Sequence, residues 1–169
     1  MNEKTDAGSD AIVALGSNIG DKIENVEKAV SLLTQGDDVQ LTSRSRIYKT
    51  PPWGNTDQDW FVNACIGVKT SLDPHELLQR CLAVEERMGR RRTEKWGPRI
   101  IDLDVLVYGD VELADENLTL PHPHITKRAF VLAPMSDIAP EMKLDGRSIS
   151  DWLSEHSMEG IEPFLAGQK

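Results

Sequence analysis

The chain has 169 residues, with 19 Lys and Arg against 28 Asp and Glu, for a formal net charge of −9. That length suits one domain with a real hydrophobic core, and the acidic balance argues against a protein that binds nucleic acid or a membrane surface. With 39% hydrophobic and 28% charged residues the chain reads as globular, and no apolar run approaches the ~20 residues of a transmembrane helix.

Met1 to Asp10 carries charges without the apolar stretch of a secretory signal; it is expected to be a flexible tail before one domain over 11–169. Ala11 to Leu15 is a continuous apolar run stopping at Gly16, as in a buried central strand. Asp21 with Glu24 forms a capping-box pattern, and Ile23, Val26, Val30 and Leu33 share one helical face that Gly36 can close. Val39, Leu41 and Ile47 mark an alternating strand through Tyr48, ended by Thr50-Pro-Pro-Trp-Gly54. Trp60 to Val68 is the next strand. Asp73-Pro74-His75-Glu76 combines an N-cap, a first-turn Pro and a capping-box Glu, and Gly89 stops that helix. Ile100 to Tyr108 is a fourth strand, turning at Gly109-Asp110. Thr126 to Leu132 and a short segment from Ser148 through Trp152 and Leu153 are expected as further helices. Cys65 and Cys81, both in apolar segments, fit reduced thiols and a cytoplasmic location.

The order strand, helix, strand, strand, helix, strand predicts an α+β domain: a ferredoxin-like βαββαβ core sheet with helices on one face and additional C-terminal helices.

Charge is unevenly spread. Arg87, Arg90, Arg91, Arg92, Lys95 and Arg99 face a single nearby acid, Glu94, so a +5 island sits on a body that carries −14. Such an island suits a small, highly charged anion such as a nucleoside triphosphate, or is simply a solvated loop. In Ile101-Asp102-Leu103-Asp104-Val105-Leu106-Val107, period two puts Ile101, Leu103, Val105 and Val107 on one face and both carboxylates on the other, about 6.5–7 Å apart at the backbone. Two such acids either pair with arginines or hold a hard cation such as Mg²⁺ completed by phosphate oxygens. Arginine forks from the flanking segment suit phosphate, and Thr93 to Pro98, tipped by Trp96, reads as a lid or as an ordinary connection. Gly16-Ser-Asn-Ile-Gly20 is a phosphate-cradling or a structural turn and lacks the Walker spacing and Lys. His122 and His124 offer a hydrogen-bond donor to triphosphate or, less simply, zinc ligands. Phe61 and Asn63 share a strand face and either grip a flat heteroaromatic ring or pack in the core.

Leu15-Gly-Ser-Asn-Ile-Gly-Asp21, Tyr48-Lys-Thr-Pro-Pro-Trp-Gly54, Phe61-Val-Asn-Ala64, Trp96-Gly-Pro-Arg-Ile-Ile-Asp-Leu-Asp104 and Leu120-Pro-His122 through Arg128-Ala-Phe130 occur in an order that resembles the 6-hydroxymethyl-7,8-dihydropterin pyrophosphokinase family, over roughly residues 11 to 155. The resemblance implies an enzyme of folate biosynthesis that moves pyrophosphate from ATP to a pterin alcohol and releases AMP, with two Mg²⁺ ions held by Asp102 and Asp104. It implies catalytic roles for Arg90 and Arg99 beside those acids. ATP would be met by Arg90, Arg92, Trp96, Arg99, Thr119, His122 and Arg128. The pterin would lie between Phe61 and Phe130, its polar edge met by Asn63 and the backbone from Thr50 through Pro51 to Trp53. A monomer is expected, with these two small molecules as its only partners. A silent Mg-nucleotide sensor and a phosphohydrolase using His122 and His124 are the competing readings; pterin-dependent AMP formation separates them.

Overall fold

Ala11–Ser17 forms β1, and six of its seven residues are buried, as expected of a strand covered on both faces. The computed structural model describes residues 11–52, 59–89 and 100–164; the expected tail and the Thr93 to Pro98 lid lie outside them. The elements after β1 are α1 (Lys22–Leu33), β2 (Val39–Arg44), β3 (Tyr48–Thr50), β4 (Phe61–Thr70), α2 (Pro74–Arg87) and β5 (Asp102–Tyr108). A short hairpin of β6 (Leu113–Ala114) and β7 (Thr119–Leu120) leads through a 3-10 turn at Ile125–Lys127 into α3 (Ala129–Ile138). A second hairpin, β8 (Lys143–Leu144) and β9 (Arg147–Ser148), precedes α4 (Ile149–Ser154) and a last strand, β10 (Glu162–Pro163).

The main sheet is antiparallel, in the order β10-β3-β4-β1-β5, with β2 also paired to β4. One apolar cluster joins Val13, Leu15, Ile66, Leu103 and Val105 of the sheet to Val26, Val30 and Leu33 of α1 and Leu77, Cys81 and Val84 of α2. A second, on the opposite face, joins Ile12, Cys65, Leu106 and Val107 to Leu132 and Met135 of α3 and Ile149 of α4. The two C-terminal helices therefore cover the face that α1 and α2 leave open. The thiols of Cys65 and Cys81 are free, lie in different clusters and are pushed up in pKa, chiefly by burial.

Local chemistry sets the boundaries. The capping box forms at α2: Glu76 N–H donates to Asp73 Oδ1 at 2.8 Å and Asp73 N–H to Glu76 Oε1 at 2.9 Å. At α1, Asp21 Oδ1 accepts from Glu24 N–H at 3.0 Å.

Four expectations need correction. The strand expected from Val39 through Tyr48 is two strands, because Ser45 Oγ accepts from Cys65 N–H at 2.9 Å and donates to Arg46 O at 2.6 Å, which turns the chain between β2 and β3. Val107 does not share a face with Leu103 and Val105. Ile12 pairs with Val107 but Val13 with Val105, so Leu106 is an extra residue in β5 and the side chains beyond it change faces. Ile100 and Ile101 lie before β5 rather than in it. The helix expected over Thr126 to Leu132 begins at Ala129 and runs through Pro134 to Ile138; Pro134 cannot donate four residues back, a cost of ~3 kcal/mol in a helix interior. The burial of Val131, Leu132, Ala133, Pro134 and Met135 outweighs it. Among the described residues no helix is long and apolar enough to cross a membrane.

Candidate active site

The site begins with what β1 lacks. In register, Gly16 lies between Asn63 of β4 and Asp102 of β5, and Ala14 lies between Cys65 and Asp104. Small residues there leave the sheet surface open between β4 and β5. A Cβ on Gly16 would stand 2.8 Å from Asn63 Oδ1, so glycine is what allows the amide its position. Asn63 Nδ2 in turn donates to Thr50 Oγ1 at 2.7 Å, and Thr50 is 1% exposed. The result is a pocket of about 80 Å³ whose lining includes Thr50, Pro51, Phe61, Asn63, Asp102, Asp104, Arg128 and Phe130. The wall opposite the sheet comes from the start of α3, where the Arg128 guanidinium carbon lies 5.8 Å from the Phe130 ring centre.

A second cleft, of about 250 Å³, also includes Asp104 in its lining, with Asp115 to Thr119, His122 and Pro123, and Leu78 and Val105. His122 is placed by the irregularity in β5, since its backbone N–H donates to the carbonyl of the extra residue, Leu106, at 2.8 Å. His122 Nδ1 accepts from His124 N–H at 3.2 Å, so the neutral ring carries its proton on Nε2. Burial, then the positive charge of Arg128 and the neighbouring His124, pull the His122 pKa down to about 4. At neutral pH this ring is an uncharged donor.

Asp102 and Asp104 fall on one face of β5, as period two requires. Two hard carboxylates with no third His, Cys, Asp or Glu grouped beside them among the described residues fit Mg²⁺, which commonly takes one or two protein carboxylates and completes its shell with phosphate and water. Among the described residues, no third such ligand is grouped with His122 and His124 either. Between the two aspartates, Leu103 N–H donates to Glu85 Oε2 of α2 at 2.7 Å, and Glu85 is 4% exposed. A buried acid bonded to the strand that bears the aspartates went unnoticed in the sequence; its one visible signal is an acid at the edge of the apolar face of an amphipathic helix.

The turn after β1 is structural in its bonding. Ser17 and Asn18 are buried, Asn25 Nδ2 donates to Ile19 O at 2.8 Å and Ser17 Oγ at 3.1 Å, and Gly20 takes φ 71°. Trp53, Arg90, Arg92, Trp96 and Arg99, expected at the site from sequence, lie outside the described residues.

A pocket lined by two phenylalanines and a polar cleft that meet at an acidic strand form a layout able to bring two ligands together at Asp104. A family model described as 7,8-dihydro-6-hydroxymethylpterin-pyrophosphokinase matches residues 12–140. A Methylorubrum extorquens protein named 2-amino-4-hydroxy-6-hydroxymethyldihydropteridine pyrophosphokinase is 46% identical over 152 residues, covering 90% of this chain and 96% of its own. A Bacillus subtilis protein of the same name is 41% identical over 151 residues, covering 89% and 87%. The fold is shared with a Plasmodium falciparum HPPK-DHPS chain crystallised with pterin and p-hydroxybenzoate, at a TM-score of 0.67 and 17% identity over 86% of this chain; the present chain spans 43% of that one. The chain belongs to the 7,8-dihydro-6-hydroxymethylpterin-pyrophosphokinase family and is an enzyme of the pyrophosphokinase type.

Proposed function

We propose that this chain, acting as a monomer in the cytoplasm on a ferredoxin-like core, transfers the β,γ-diphosphate of ATP to the hydroxymethyl group of 6-hydroxymethyl-7,8-dihydropterin and releases AMP, a step of folate biosynthesis. The observation that carries this reading is that Asp104 lines both clefts. A group bound in one can thereby meet a group bound in the other.

The pterin ring stacks on Phe61 and Phe130, and Asn63 with the backbone at Thr50, Pro51 and Trp53 meets its polar edge. The triphosphate lies across Asp104 toward Thr119 and His122, with His122 Nε2–H donating to a phosphate oxygen and Arg128 supplying positive charge. Asp102 and Asp104 would hold the two Mg²⁺ ions that accompany ATP, which would supply neutralisation of the phosphate charge. The hydroxymethyl oxygen attacks the β-phosphorus, the bond from that phosphorus to the α,β-bridging oxygen breaks, AMP departs, and the hydroxyl proton passes to water. The chain's contribution to this step is positioning and charge. Arg90, Arg92, Trp96 and Arg99 complete the phosphate side.

The test is AMP release from Mg-ATP with and without 6-hydroxymethyl-7,8-dihydropterin. The reading predicts AMP only when the pterin alcohol is present. AMP or ADP formed at the same rate without it would support a hydrolase instead.

A further inference from the structure

The family match ends at residue 140, yet the chain beyond it comes back to the pocket. After α4, Ile161 N–H donates to Met158 O at 2.9 Å, closing a turn in which Gly160 takes φ 81°. β10 then pairs with Lys49 and Tyr48 of β3, and Phe164 N–H donates to Ile47 O at 2.7 Å.

The two ends of this returning segment touch two different parts of the pocket frame. A Cβ on Gly160 would stand 3.4 Å from Cδ and Cγ of Pro51, and Pro51 lines the pocket. The Phe164 ring stacks on Trp60, with centroids 5.4 Å apart and planes at 22°. Trp60 immediately precedes Phe61, which also lines the pocket. Lys22 Nζ and Lys49 Nζ approach the Trp60 ring centre to 4.0 and 4.7 Å, so that ring is gripped by charge as well as by stacking. Thr50 pairs with Phe61 across the β3–β4 ladder, which makes the two contacts parts of one frame.

β3 has only three residues. Its Tyr48 end is anchored to α3, where Tyr48 Oη lies 3.0 and 3.1 Å from the Asp137 carboxylate oxygens and Arg46 NH2 donates to Tyr48 Oη at 2.8 Å. That anchor and the pairing of β10 hold the start of the strand, and Gly160 of the returning segment bears on Pro51, just past its other end. We propose that residues 158–164 are a strap that sets the separation of the Pro51 and Phe61 walls, and that Phe164 and Gly160 are positioning residues for the flat-ring ligand. This rests on reading the pocket as the pterin site. The strap contacts named above, at Pro51, Trp60, Ile47, Tyr48 and Lys49, fall on no residue that lines the cleft of Thr119 and His122, so the expected effect is on the flat-ring ligand.

The experiment uses the full chain and the variants Phe164→Ala, Phe164→Tyr and Gly160→Val. Each is titrated with the ATP analogue α,β-methylene-ATP plus Mg²⁺, then with 6-hydroxymethylpterin at saturating analogue, and its melting temperature is recorded. Loss of a preorganised wall predicts about tenfold weaker pterin binding in Phe164→Ala and Gly160→Val, with analogue affinity held within about twofold and Phe164→Tyr near the parent. Unchanged pterin affinity in both disruptive variants overturns the proposal. So does a matched loss for both ligands that follows the fall in melting temperature, because that pattern marks the strap as a mere edge cover. A parent protein that binds no 6-hydroxymethylpterin overturns the reading of the pocket, and the strap's role falls with it.

Discussion

At Gly16 the absence of one methyl group decides where an amide sits. The Cβ that alanine would add is 2.8 Å from Asn63 Oδ1, closer than real Cβ contacts allow. Asn63 must then leave Thr50 or tilt into the pocket. Gly16→Ala is therefore expected to weaken 6-hydroxymethylpterin binding by roughly tenfold or more, the scale of one misplaced polar contact; titration calorimetry reads it directly. Asp102→Asn and Asp104→Asn act differently, because each removes one of two like charges that share a face of β5. Melting temperature should hold or rise while turnover falls at least about a hundredfold, with the double variant little worse than either single. A large fall in melting temperature with turnover per folded molecule preserved would make these acids structural.

His122 supplies the pH dependence. Its pKa is lowered from 6.5 in the unfolded chain to about 4 in the folded one. Above pH 6.5 neither state is protonated and the ring contributes nothing to the difference. Between about 6.5 and 4 the unfolded chain takes up a proton that the folded chain refuses, so stability falls as pH falls through that window. Urea midpoints at pH 7 and pH 5 should therefore separate further in the parent than in His122→Gln; an equal separation would mean that the ring is protonated in the folded state. The Asp pair and the shared face of Phe61 and Asn63 were legible in the sequence because period two needs no tertiary information. The role of Gly16 was not, because it depends on which residue the neighbouring strand brings alongside.

Among the elements, β5 departs most from its simple pattern. The extra residue at Leu106 sends Val107 to the second cluster and gives His122 N–H a carbonyl to bind. Alternating hydrophobicity could not reveal it, because Leu106 and Val107 are apolar whichever face they take. The run of α3 through Pro134 was hidden for a related reason: local propensity argues for a stop, and burial against Cys65 and Ile12 decides otherwise. The strand β10, two residues long, owes its existence to β3 and has no local signature. Glu85 ties α2 to β5 at the residue between the two aspartates. Glu85→Ala leaves Leu103 N–H buried without that acceptor, a cost of about 1–3 kcal/mol or several degrees of melting temperature in a chain of this size. Glu85→Gln, which keeps an acceptor oxygen, should retain most of the stability and most of the turnover. If both variants melt with the parent, the bond to Leu103 contributes nothing to holding the strand.

For the whole molecule, the order of elements was the legible feature. Strand, helix, strand, strand, helix, strand was enough for an α+β sheet with α1 and α2 together on one face. The opposite face, where the pocket forms, depends on where the chain after β5 returns, and no period in the sequence encodes that. A cationic segment on an acidic body is expected to favour a compact anion over a long one. The proposed transfer moves two phosphates together across the acidic strand from one cleft to the other. Parallel reactions of the parent enzyme with ATP carrying ³²P at the α or at the γ position, in the presence of Mg²⁺ and 6-hydroxymethyl-7,8-dihydropterin, test it most directly. The γ label should appear in a pterin diphosphate and the α label in AMP, in equal amounts. Release of the γ label as inorganic phosphate with ADP, or its recovery in a pterin monophosphate, would contradict attack at the β-phosphorus.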